Sequence, residues 1–199
     1  KLYNYYKELY KMSTAGDYFV VFSNLASIPC IIYYQYYQKY FYSIQILLAS
    51  LFSFIHHIKS TNLYVVYDSG LFDLLDGVYS YLTIYLFAIY LFLSNHNELK
   101  MELSFVQTII LCLTFTNIGT IIALPITIFL ILFITSIHRQ KINKISLYNK
   151  YLYITVLLCC ADVTCFFIAM QTEYNSFHAI HHLLSFNIPF FVDKCVTET

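Results

Sequence analysis

Seven apolar runs, each continuous rather than alternating with polar residues, leave this 199-residue chain few ways to fold. They cover residues 18–34, 41–58, 71–93, 103–117, 118–137, 148–170 and 177–191. A helix needs roughly 20 apolar residues to cross the hydrocarbon core of a bilayer. Strands of a membrane barrel would instead alternate between the lipid and the lumen. The chain is 59% hydrophobic and only 11% charged, against roughly 25% charged in soluble domains. That much apolar surface cannot be hidden in one soluble core of this size. The expected fold is all-α: a polytopic membrane protein, a seven-transmembrane-helix bundle forming one domain over residues 1–199. The fourth and fifth runs abut at Asn117-Ile118-Gly119; merging them would leave six spans and reverse the direction of the last.

Residues 1–17 are expected to form an interfacial segment, since LYNYYKELYKM (2–12) is amphipathic. The chain opens on Lys1, not on an initiator methionine, and the expectation is a domain trimmed from a longer chain with a larger extracellular portion before it. Pro29, Pro125 and Pro189 lie within runs one, five and seven, where neighbouring helices can satisfy the carbonyls that a kink releases. Orientation follows from the basic residues in the connections. Lys1, Lys7, Lys11 and Lys59 fall on the amino-terminal side, and Lys39, Lys100, Arg139, Lys141, Lys144, Lys150 and Lys194 on the other. The richer side is expected to be cytoplasmic, which places the amino terminus outside or in a lumen and the carboxyl terminus in the cytoplasm.

Net charge is zero and no basic stripe exists, so nucleic-acid binding has no support. The 21 Tyr and 18 Phe cluster partly at span ends, where aromatic rings anchor in the interface. Six cysteines (Cys30, Cys112, Cys159, Cys160, Cys165 and Cys195) lack the spacing of a disulfide framework or a CxxC zinc site, and read as small apolar fillers. Cys195, near the end of run seven, is also a place for an acyl chain. Asn24, Gln45, Gln107 and Asn117 are expected to hydrogen-bond between helices.

The chemistry-bearing residues gather at span ends. His57 closes run two, Asp76 lies near the start of run three, and His178 and His182 open run seven. Successive spans alternate direction, so these ends share one face of the membrane, the outer one in this orientation. Residues four apart on a helix project from one face, and that spacing lets two imidazoles hold one zinc ion. His57 would supply a third nitrogen, and three protein ligands with one open position suit a catalytic zinc. Asp76 sits at the level required of an acid/base, and Ser53, one turn before His57, could orient a ligand or the reacting oxygen. Asp73 is the rival carboxylate, one turn nearer water, where a solvated helix-start role also suits it. His181 points away from the pair, and the His56-His57 doublet taken alone reads equally as two residues reaching the headgroups. Asp162, deep in run six, must face the bundle interior. It would either line a substrate cavity or proton path, or bond a neighbouring Thr or Asn.

These motifs resemble the CREST superfamily of seven-helix membrane proteins, which includes alkaline ceramidases, adiponectin/progestin-type receptors and lipid-remodelling factors for glycolipid-anchored proteins. The stretches SNLASIP (23–29), FIHH (54–57), LLDGVYSYLT (74–83) and NSFHAIHH (175–182) are most similar to its myomaker/transmembrane-protein-8 branch. Helices four to six match in hydrophobicity alone. The resemblance implies Zn2+ held by His57, His178 and His182, with Ser53 and Asp76 beside it. It also implies hydrolysis of an amide or acyl ester in a membrane lipid: a sphingolipid, a glycerolipid or a glycolipid anchor. In the myomaker branch it implies membrane remodelling or fusion. The alternative function is therefore a non-catalytic fusion protein, receptor or scaffold with a structural zinc, whose removal would cost stability. Haem held by histidine pairs fits less well, because the i,i+4 pair converges on one metal from one side.

Overall fold

The structure is a computed structural model. It describes residues 15–60, 71–93, 129, 132–133, 136, 148–172 and 175–198. The segment 1–14, the fourth expected span and all but four helical positions of the fifth lie outside the described residues. Among the described residues every element is a helix. In chain order these are α1 (Ala15–Ser23), a 3-10 turn (Asn24–Ala26), α2 (Ser27–Tyr36), α3 (Tyr40–Ser60), α4 (Leu71–Leu93), α5 (Lys150–Thr172), α6 (Asn175–Ser185) and α7 (Ile188–Thr197). Four stretches are long and apolar enough to cross a membrane: Ala15–Tyr36, Tyr40–Ser60, Leu71–Phe92 and Lys150–Ala169. Residues 15–17, expected in the interfacial segment, form the first turn of α1.

Two prolines set the breaks. Pro29 has no N–H to return to Leu25, and the helix tightens into the 3-10 turn just before it, where the Ser27 N–H reaches back to Asn24. Pro189 stands in the first turn of α7, where its missing donor costs nothing, and it divides the seventh expected span at Phe186-Asn187. The second half of that span runs on to Thr197, past the expected end at 191.

Polarity is arranged inside out. Ser23, Asn24, Ser27, Ser43, Gln45, Ser50 and Ser53 are buried, while Phe22, Ile32, Ile44, Leu47, Leu157 and Phe167 are exposed. Lipid is as apolar as leucine, so burying leucine gains little there; close packing and interhelical hydrogen bonds hold such bundles together. The seam between α2 and α3 follows that rule. The Ser27 hydroxyl lies 2.8 Å from that of Ser50, and Ser50 donates to the Asn24 carbonyl at 3.1 Å. Asn24 departs from the expectation of an interhelical side-chain bond. Its Nδ2 donates to Val20 and Val21 within its own helix, and only its carbonyl links to α3. The tightened turn leaves those two carbonyls available to side-chain donors. Between α1 and α6, Val20 and Val21 pack on Ala179, whose small side chain lets the helices approach.

Two ends of the bundle are defined by contacts. At one, the end of α3 meets α6 through His57 and His182. At the other, Lys39, Tyr90 near the end of α4, and Asp193 of α7 share hydrogen bonds. Asn149, just before α5, donates to the Cys195 carbonyl at 3.1 Å, so α5 starts at the end where α4 finishes.

Candidate metal centre

Helix α3 carries Ser53 and His57 one turn apart and buries both. Helix α6 carries His178 and His182 one turn apart, with His182 buried and His178 partly so. The three imidazoles meet: one nitrogen from each of His57, His178 and His182 lies within 4.8 Å of the others. Their ring centroids stand 4.6–4.9 Å apart. The Nε2 atoms of His57 and His182 are 3.3 Å apart. Two nitrogens at about 2.0–2.1 Å from one tetrahedral zinc are separated by about 3.3–3.4 Å, so that edge already has the required length. Three neutral imidazoles in a buried site offer lone pairs and no charge of their own. This donor set suits a divalent transition metal better than an alkali cation.

The two candidate carboxylates differ in their surroundings. Asp76 is half-buried near Ser53, whose Oγ lies 3.4 Å from His182 Nε2. Asp73 is exposed and turns the other way, bonded to His56 at 2.9 Å and to Lys59 at 3.1 Å. Asp73 thus belongs to a surface triad, while Asp76 lies on the side of Ser53. His56 is occupied by Asp73 and stays outside the group, although its neighbour His57 is a member.

His181 and Asp162 find each other. His181 Nδ1 is 2.8 Å from Asp162 Oδ1, and Ser185 donates to the same oxygen at 2.8 Å. The partners of Asp162 are thus a histidine and a serine on α6 rather than a Thr or Asn, and they pin α5 to α6 behind the imidazoles. The cysteines among the described residues are all free; Cys30 and Cys195 are buried, as fillers would be.

Two groups escaped the sequence reading. Ser23 reaches His182 from α1, with its Oγ 3.0 Å from Nδ1. Its signal was its place in SNLASIP, a polar opening to an otherwise apolar segment. Asp193 is buried at the far end, bonded to Tyr33 at 2.8 Å and also to Lys39 and Tyr90. Its signal was the i,i+3 rhythm Val192–Cys195, which continues the buried stripe of α7 beyond Phe191.

Comparison with protein-family models and with curated proteins finds no match to this chain. The site's own geometry therefore carries the functional argument.

Proposed function

We propose that the chain is a seven-span membrane hydrolase of the CREST type, using zinc to cleave an amide or acyl ester bond in a lipid. One observation carries the reading: imidazole nitrogens of His57, His178 and His182, from two helices, lie within 4.8 Å of one another, with Ser53 and Asp76 beside them. Seven spans are supported by direction. Helix α4 ends, and α5 begins, at the Asp193 end of the bundle. The segment between them must then cross the membrane an even number of times, and runs 103–117 and 118–137 supply two crossings. The basic residues of the connections orient the imidazoles toward the outer or lumenal leaflet.

His57, His178 and His182 would hold the ion, leaving room for a further ligand. Zinc, when bound, supplies a Lewis acid that polarises a carbonyl and makes water a nucleophile near neutral pH. Asp76 takes the proton of the attacking water and returns it to the departing amine or alcohol. Ser53 holds that carboxylate toward the imidazoles. The scission is thus a hydrolysis: water adds across the C–N or C–O bond, and a free fatty acid leaves with the remaining headgroup-bearing lipid.

Metal analysis of the purified protein, paired with turnover of sphingolipid, glycerolipid and glycolipid-anchor substrates, tests the reading on wild type and Asp76→Asn. Zinc in both proteins with turnover only in wild type is expected. Zinc in wild type with no lipid turned over would instead favour a structural ion. Such an ion would cross-link α3 and α6 in a membrane-remodelling protein.

A further inference from the structure

The Ser23 hydroxyl has one hydrogen, and the geometry says where it goes. Its Oγ donates to the Val20 carbonyl at 2.7 Å. The 3.0 Å contact with His182 must then run the other way, with Nδ1–H donating and Oγ accepting. A hydroxyl that accepts from Nδ1 demands the tautomer with the proton on Nδ1 and the lone pair on Nε2. That lone pair is the one facing His57 across 3.3 Å.

Ser23 is well built for this. It is buried, so water does not compete for the imidazole. It closes α1 where the 3-10 turn begins, and Asn24 Nδ2 steadies Val20 and Val21 from the other side. The close packing of Val20 and Val21 on Ala179 brings α1 to the α6 face that carries His182.

We infer that Ser23 is a positioning residue: it fixes the tautomer and ring plane of His182 and so presets Nε2 as a metal ligand. The first helix, which contributes no ligand, thereby takes part in the site. The inference rests on the metal-centre reading and deepens it. Partners of this kind raise metal affinity by about ten- to a hundredfold in other histidine sites.

The test is a competition titration of zinc against a chromophoric chelator for wild type, Ser23→Ala, Ser23→Thr and Ser23→Val, with the thermal midpoint of each metal-free protein and the Co2+ absorption spectrum of each loaded one. Thr and Val have the same shape and differ in the hydroxyl, so that pair decides the matter should Ser23→Ala fail to fold. Expected are zinc affinities about tenfold or more weaker for Ala and Val, restored by Thr, with an altered Co2+ spectrum in Ala and Val and metal-free midpoints level with the wild type. Equal zinc affinities for Thr and Val would overturn the role of Ser23 while leaving the metal centre standing. A fall in metal-free stability that accounts for the whole loss of affinity would overturn it too, as a structural effect. A wild type that binds neither ion would remove the metal centre and this inference together.

Discussion

The two ends of the bundle each bury a polar cluster, and they solve that problem in opposite ways. At the Asp193 end, a carboxylate is matched by Lys39 and by the hydroxyls of Tyr33 and Tyr90, and Lys39 also donates to Tyr90 at 2.9 Å. Donors and charge are closed on themselves. At the other end, three imidazoles face one another with no carboxylate among them, and Asp76 stands beyond Ser53. A closed cluster is complete without a ligand. Nitrogen donors from two helices that converge on a shared point leave a position that a metal ion could fill. The difference separates a cluster that fastens the helices from one that could take a ligand.

The sharpest way to break this contrast is to remove a ligand. His178→Ala should abolish stoichiometric zinc binding, read by metal analysis after gel filtration, while the fold persists by circular dichroism. Full occupancy in that variant would mean the ligand set is wrongly drawn. Next in size is Asp76→Asn, expected to keep the metal and lower lipid turnover by about 10²–10⁴-fold. Equal loss of metal and activity would assign Asp76 to the ligand shell instead. The Asp193 end should behave in the reverse manner. Asp193→Ala leaves Lys39 without its counter-charge in a largely buried site, and should destabilise the protein by about 3 kcal/mol with zinc content unchanged. A stable, metal-depleted Asp193→Ala would dissolve the distinction between the two ends. Smallest is Asp73→Asn, which touches only the exposed triad with His56 and Lys59. Its expected effect is under about 1 kcal/mol on stability, with turnover intact, and a turnover loss there would return the acid/base role to Asp73.

Much of this arrangement was legible in the residues. The span 71–93 coincides with α4, because an apolar run bounded by polar connections has little freedom in where it starts and stops. His57, His178 and His182 were legible as a group because the i,i+4 spacing and the alternation of spans are both geometric rules. Asp76 is preferred to Asp73 by its level in the helix, and the bonds of Asp73 to His56 and Lys59, which depend on how the end of α3 meets the start of α4, lie beyond any pattern. The Asp193 cluster was hidden for another reason. The charged pair Asp193-Lys194 closes an apolar run on paper, yet Pro189 in the first turn of α7 is a helix-starting signal, and the helix runs on to Thr197. Ser23 was missed because its partner lies 159 positions away, and no spacing rule reaches that far.

The break at Phe186-Asn187 has a mechanical consequence. Because α6 and α7 are two short rods with a joint between them, a displacement of α7 can be taken up at that joint before it reaches the imidazoles. The rod that carries Asp193 can shift while the rod that carries His178 and His182 keeps its own alignment against α1 and α5.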